Sequence, residues 1–174
     1  MTTHLQILKR KSYRLPGHDY SLAGAYFVTI ITKNRQCLFG TITNGTMDIN
    51  AAGKIITDAW QNLEKTYPYV VLDEYCLLPD HFHGILWIQE WDPYGPGSKI
   101  NLAGPGMIKI KPLGQLIGSF KTCSTKQINL MNDTPGETIW QRNFYDRIVR
   151  DEKELDRIRA YIMANPCRWP NEPE

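Results

Sequence analysis

The chain of 174 residues, 42% hydrophobic and 22% charged, has the composition of one folded domain with its own core, which excludes a disordered segment. It has neither an apolar run of the roughly 18 residues that a membrane-spanning helix needs nor a secretory signal, so we expect a cytoplasmic protein with no membrane partner. The net charge of +2 is too small to indicate a nucleic-acid partner, and four scattered cysteines predict reduced, mostly buried thiols.

The chain begins with a basic segment, residues 1–22, which we predict to be an extended arm preceding a single domain over residues 23–174. Clustered cations can hold a phosphate backbone, although solvated surface lysines and arginines give the same pattern. Six cations are candidate DNA contacts: Lys9, Arg10, Lys11, Arg14, Lys121 and Arg142.

The first predicted strand covers residues 25–32, which are rich in β-branched and aromatic side chains. Asn44-Gly45 predicts a tight hairpin. Apolar residues then recur at helical spacing, with Asn50 as the cap of a helix that ends near residue 67.

Two further strands are predicted, over residues 70–78 and 81–89, with a sharp break at Pro79 between them. The run after the second strand, at about residues 90–109, is dense in glycine and proline and predicts a long surface loop.

A second helix is predicted from Leu113, a fourth core strand near the end of residues 139–149, and a last helix capped by Asp151. We place the end of that helix at Asn165, because Pro166 disfavours helical geometry in the residue before it. This order of elements predicts an α+β fold, an antiparallel β-sheet with packed helices, of ferredoxin-like type.

His81 and His83 are separated by one residue of a predicted strand, so both side chains leave the same face, with α-carbons about 6.5 to 7 Å apart. They can share one cation, while Phe82 anchors the strand in the core. Two surface histidines near a turn would give the same local pattern.

Tyr161 and Asn165 are four residues apart on the last helix and project from nearly the same side. Asn165 offers a neutral oxygen that could complete a ligand set with two imidazoles. An unperturbed tyrosine, with a pKa near 10, needs a cation beside it to attack a phosphate. Taken alone, however, the pair could be a packing tyrosine and a helix-end cap.

Five blocks carry a family resemblance, in the order DYSLAGAYFVTIITKNRQCLFG, LLPDHFHGILWI, LGQLIGSFK, IWQRNFYDRIVRDEKEL and YIMANP. Together they resemble the REP-associated tyrosine transposases, a branch of the single-tyrosine HUH endonucleases. The resemblance implies that His81, His83 and Asn165 bind Mg²⁺ or Mn²⁺ and that Tyr161 is the nucleophile. It further implies a bacterial, nucleoid-associated monomer or homodimer that cuts and joins single-stranded DNA at hairpin-forming palindromes.

Three alternatives accompany this interpretation. Tyr145 is a rival nucleophile, but it is predicted to lie on or just after a strand, where no residue follows it by one helical turn as Asn165 follows Tyr161. A repeat-specific DNA-binding protein with little or no catalysis would keep the recognition and lose the chemistry. An RNA-binding domain on a similar sheet would stack bases on strand aromatics and would need no pair of metal ligands.

Overall fold

The computed structural model describes residues 15, 17–91 and 109–169. Within them, six strands and three α-helices follow one another in the order β1 (Gly24–Ile31), β2 (Gly40–Thr43), β3 (Thr46–Ile49), α1 (Ala51–Thr66), β4 (Val70–Leu77), β5 (His81–Ile88), α2 (Leu113–Asn132), β6 (Tyr145–Val149) and α3 (Glu152–Arg168), with a short 3-10 turn, Lys33–Arg35, after β1.

Four of the strands form one antiparallel sheet in the order β4-β5-β1-β6, and β2 pairs with β3 as a separate hairpin. Without the hairpin and α3, the elements run β-α-β-β-α-β, with the first and third strands at the centre of the sheet. This is the ferredoxin-like arrangement. The predicted α+β class is therefore confirmed.

The two faces of the sheet have different coverings. The larger core lies on one face, where Trp60 of α1 and Phe120 of α2 contact Phe82 of β5, with ring centroids 4.7 and 5.5 Å from that ring. On the other face α3 packs Leu155, Ile158 and Ile162 against the strands. Phe82 thus faces the core, as the alternation of β5 predicts, and its two flanking histidines face α3.

Local sequence signals account for most of the element ends. The side chain of Asn50 accepts a hydrogen bond from the Gly53 amide, and that of Asp151 accepts one from the Glu154 amide, so both predicted caps are confirmed. Asn44 and Gly45 have φ values of 52° and 74°, the left-handed conformation that a tight two-residue hairpin requires.

The fourth core strand lies near the end of the predicted run, where Tyr145–Val149 joins the sheet. Trp140 makes an isolated bridge to Thr32, and the chain then leaves the ladder. The ammonium of Lys121 accounts for this departure, since it binds the backbone carbonyls of Gln141, Arg142 and Asn143.

The predicted end of the last helix is wrong, because α3 continues through Pro166 to Arg168. The restriction that proline places on the preceding residue is a preference, and packing overrides it here. Ile162 and Asn165 are both fully or almost fully buried on the last turns of the helix.

Several expectations concern residues at the edges of the described ranges. Lys9, Arg10, Lys11 and Arg14 lie outside them, as does most of the predicted loop, residues 92–108. The end of the predicted arm is packed, since Tyr20 is buried and its carbonyl accepts from the Leu113 amide.

The four cysteines are free, as expected, but Cys37 and Cys167 are exposed and the other two are only partly buried. The prediction of mostly buried thiols is therefore wrong. Among the helices described, none is long and apolar enough to span a bilayer.

Gly84 of β5 is packed closely under α1. A β-carbon there would lie 2.7 Å from Trp60 Cζ2 and 2.8 Å from Phe82 Cε1. We predict that Gly84→Ala lowers the free energy of unfolding by about 1–3 kcal/mol through overpacking, measured by urea denaturation.

Gly118 of α2 is the matched control, because a β-carbon there meets no atom within 4 Å. Gly118→Ala is expected to stabilise the protein by up to about 1 kcal/mol, since alanine favours the helix. Equal effects of the two substitutions would contradict the packing described.

Candidate active site

The strand β5 holds the two predicted metal ligands in a buried position. His81 and His83 are 2% and 4% exposed, and their ring centroids are 4.7 Å apart. Both are directed to the face of the sheet that α3 covers. The alternative of two solvated surface histidines is therefore wrong.

Each imidazole is oriented by a neighbour through its Nδ1 atom. His81 Nδ1 donates to the Asp80 carboxylate at 2.5 Å, and Asp80 also accepts from Arg35 Nη1 at 3.5 Å. His83 Nδ1 is hydrogen-bonded to the Thr29 hydroxyl at 2.8 Å. With Nδ1 occupied in both rings, a cation would be bound through Nε2, which is how protein frameworks commonly orient metal-binding histidines.

Asp80 and Thr29 are site residues that were not predicted from the sequence. Asp80 directly precedes His81, so its position alone was a usable signal. Thr29 could be found only from the pairing register, which sets it opposite His83 across β1 and β5.

The helix α3 brings Tyr161 to this pair, as predicted. Its hydroxyl lies 3.4 Å from His83 Nε2, and its ring meets that of His83 edge-on at 5.4 Å between centroids. Phe27 stacks on His83 at 5.5 Å between ring centroids and also meets the Tyr161 ring edge-on. The Tyr161 ring therefore contacts both the Phe27 ring and the His83 imidazole, which restrict its orientation.

Asn165 lies one turn further along α3 and is completely buried. Neither its Oδ1 nor its Nδ2 has a hydrogen-bond partner among the described residues. Because the helix continues past it, the alternative role as a helix-end cap is wrong. A buried amide without partners costs about 1–3 kcal/mol, a cost that a bound cation would offset.

These donors fit a divalent cation. No cluster of three or more His, Cys, Asp or Glu side chains that could hold a metal ion occurs in the described ranges, so a cation at this site would be held by two imidazoles and an amide oxygen. Such a mixed nitrogen and oxygen set is compatible with Mn²⁺ or Mg²⁺ and leaves coordination positions for water and substrate oxygens. The orphaned amide of Asn165 is the observation that supports this fit.

Comparisons with known proteins identify the family to which the chain belongs. No family model matches it. A Haemophilus influenzae protein without an assigned function is 34% identical over 163 residues, covering 92% of this chain and 89% of the relative. A second Haemophilus influenzae protein, provisionally named a REP-associated tyrosine transposase, is 30% identical over 151 residues, covering 86% and 74%. The chain belongs to the REP-associated tyrosine transposase family.

A solved structure has the same fold as this family member. It is described as a REP-associated tyrosine transposase bound to a REP hairpin, with a TM-score of 0.62 and 18% identity, and the match covers 92% of this chain and 74% of that one. At this identity the likeness concerns the fold alone.

A charged clamp fixes α3 on the sheet of this family member. Arg159 donates from Nε and Nη2 to the two carboxylate oxygens of Asp73, at 2.9 and 2.7 Å, and Trp87 Nε1 donates to the same carboxylate at 3.0 Å. The Arg159 hydrogen bonds lower the pKa of Asp73 from 3.8 to about 2. Trp87 is on the strand of the histidines and Arg159 on the helix of Tyr161, so the clamp joins the two halves of the site.

The other predicted DNA contacts have different surroundings. Lys121 is held by the carbonyls of residues 141–143, and burial lowers its pKa from 10.5 to about 8. Arg142 is exposed on that segment. Tyr145, the rival nucleophile, is 45% exposed at the start of the edge strand β6. A DNA role for Lys121 and Arg142 stays a prediction.

We predict that Asp73→Asn destabilises the protein by about 1–2 kcal/mol, because it weakens a pair of charge-assisted hydrogen bonds. Urea denaturation at neutral pH measures the effect. The matched control is Asp58→Asn, which removes the exposed Lys54–Asp58 pair and should cost less than about 0.5 kcal/mol.

The difference in unfolding free energy between the wild type and Asp73→Asn should depend on pH in a defined direction. The folded-state pKa of Asp73 is depressed, so its contribution is complete above 3.8 and is lost as the pH falls toward about 2. The stability gap between wild type and Asp73→Asn should stay constant down to that range and then narrow. A gap that narrows already at neutral pH would contradict the clamp.

Proposed function

We propose that this chain is a metal-dependent endonuclease and transposase that cuts and rejoins single-stranded DNA at hairpin-forming palindromic repeats. One observation carries the proposal: the Tyr161 hydroxyl lies 3.4 Å from Nε2 of the buried His83, with the orphaned amide of Asn165 one turn further on. Membership of the REP-associated tyrosine transposase family supports the DNA substrate, as does the REP hairpin bound by the solved relative.

The residues assigned to the cation are His81, His83 and Asn165, and the cation is Mg²⁺ or Mn²⁺. When bound, it would neutralise charge that grows on the non-bridging phosphate oxygens. The chain's own groups orient this set: Asp80 and Thr29 fix the imidazole rings, and the Asp73–Arg159 clamp fixes the helix that presents the amide.

The chemical step assigned to Tyr161 exchanges one phosphodiester bond for another, so no phosphodiester bond is lost. Its phenolic oxygen bonds to the phosphorus while the bond from phosphorus to O3′ breaks. The phenolic proton passes to water, and the departing oxygen takes a proton to become a 3′ hydroxyl. The product is a 5′-phosphotyrosine, which a second 3′ hydroxyl can attack in the reverse sense, so rejoining needs no ATP.

All the groups of this proposal belong to one chain. Tyr161 of α3 lies against His83 of β5 in the same molecule, so the site does not require a helix exchanged with a second copy. This supports a monomer that is competent for cleavage, whether or not two copies associate during strand transfer.

A covalent adduct tests the proposal. The protein is incubated with Mn²⁺ and a labelled single-stranded oligonucleotide that contains a hairpin-forming palindrome, and adducts that survive denaturation are counted. We expect an adduct with the wild type, none with Tyr161→Phe or after chelation, and a loss of about 100-fold or more with His83→Ala.

Two tyrosine variants sharpen this experiment. Tyr75→Phe is the matched control. The Tyr75 hydroxyl accepts a hydrogen bond from Gln61 of α1, and α1 covers the face of the sheet opposite the proposed site. Removing this hydroxyl should therefore leave the adduct yield unchanged. Tyr145→Phe should still form an adduct. Binding without any adduct in the wild type would favour the alternative, a repeat-specific DNA-binding protein, and an adduct that depends on Tyr145 would transfer the nucleophile to that residue.

A further inference from the structure

A row of three residues crosses the sheet at the level of the proposed site. Tyr145 of β6 pairs with Thr29 of β1, and Thr29 pairs with His83 of β5. Directly paired residues point to the same face, and neighbouring strands lie about 4.8 Å apart. The α-carbon of Tyr145 is therefore about 10 Å from that of His83, with its ring directed to the same face of the sheet.

The two ends of this row differ in exposure. The helix α3 packs on the β5 side, where His83 is 4% exposed, whereas Tyr145 is 45% exposed on the edge strand. A DNA strand that reaches Tyr161 can therefore extend over Tyr145 without displacing α3.

A small pocket opens beside this tyrosine. It has a volume of about 210 Å³ and is lined by Ile31, Gln141, Arg142, Asn143, Phe144 and Tyr145. Ile31 pairs with His81 across β1 and β5, so the floor of the pocket adjoins the histidine pair. The volume lies below the range of about 300–1,000 Å³ usual for drug-sized ligands and suits one small planar group.

The wall of the pocket is held in place from behind. Lys121 of α2 binds the carbonyls of Gln141, Arg142 and Asn143, which fixes the backbone of the segment that carries three of the lining side chains. A wall fixed in this way requires little ordering when a ligand binds.

The chemistry of the lining matches a nucleotide. An aromatic ring offers a stacking surface, and amide side chains offer both a donor and an acceptor to a base edge. Arg142 is exposed at the pocket, and Lys33 is exposed in the turn just after β1. A cation exposed beside the pocket can hold an adjoining phosphate, and Arg142 meets this condition.

We propose that this pocket binds one unpaired nucleobase next to the scissile phosphate, stacked on Tyr145, with Arg142 on an adjoining phosphate. Tyr145 is then a substrate-positioning residue and Tyr161 the nucleophile. The assignment rests on the proposed function for the identity of the scissile phosphate, whereas the binding of a base can be measured without cleavage.

The test uses full-length protein carrying Tyr161→Phe, so that no cutting occurs. The probe is the hairpin oligonucleotide with 2-aminopurine placed in turn at each unpaired position beside the stem. Stacking on an aromatic ring quenches its fluorescence. We expect quenching at one position, retained in Tyr145→Phe and lost in Tyr145→Ala, with affinity lowered about 5- to 150-fold, the range for one stacked base.

Tyr145→Leu guards against a fold defect, because leucine keeps an apolar side chain on the strand but has no aromatic face. It should lose the quenching while the thermal melting temperature stays near that of the parent. Arg142→Ala should lower the slope of log affinity against log salt by about one, and the matched control Lys65→Ala, on the exposed end of α1, should leave the slope unchanged.

Quenching and affinity that are the same in Tyr145→Ala, Tyr145→Leu and the parent would overturn the base pocket. If the adduct still forms with an intact Tyr161, the proposed function survives that result. Quenching that depends on Tyr145 in a protein that never forms an adduct would instead retain the pocket and reject the cleavage chemistry.

Discussion

The docking of α3 across the sheet is the constraint on which the site depends. The helix presents Tyr161 and Asn165, the sheet presents His81 and His83, and neither pair is useful without the other. Apolar packing of Leu155 and Ile158 holds α3 against the sheet but does not fix the orientation of the helix, because the hydrophobic effect is non-directional. The bidentate contact from Arg159 to Asp73 does fix this orientation, because two parallel hydrogen bonds restrict both the rotation of α3 about its axis and its position along the sheet.

The register of β1 against β5 is the second constraint. It sets Thr29 opposite His83 and Ile31 opposite His81, so one strand orients an imidazole and also forms the floor of the neighbouring pocket. A slip of one residue would turn both histidines toward Trp60 and Phe120 on the other face. The close packing of Gly84 beneath Trp60 opposes such a slip.

Much of this architecture follows from short-range patterns. Alternation along β5 is enough to place both histidines on one face, and helical spacing is enough to bring Tyr161 and Asn165 to one side. Contacts between distant residues could not be predicted from such patterns. Arg159 and Asp73 are 86 residues apart in the sequence. Lys121 of α2 likewise contacts the backbone of the segment that precedes β6. The persistence of α3 beyond Pro166 likewise reflects tertiary packing that overrides a local preference.

The buried amide of Asn165 connects stability with the proposed function, since it has no hydrogen-bond partner among the described residues and a bound cation would supply one. Thermal melting of wild type and Asn165→Leu, each without metal and with Mn²⁺, tests this most directly. We expect Asn165→Leu to melt higher than the wild type without metal and to lose the Mn²⁺-induced rise, which at 100 times the dissociation constant corresponds to about 2.7 kcal/mol. An Asn165→Leu protein that melts lower without metal and keeps the full Mn²⁺ shift would contradict it.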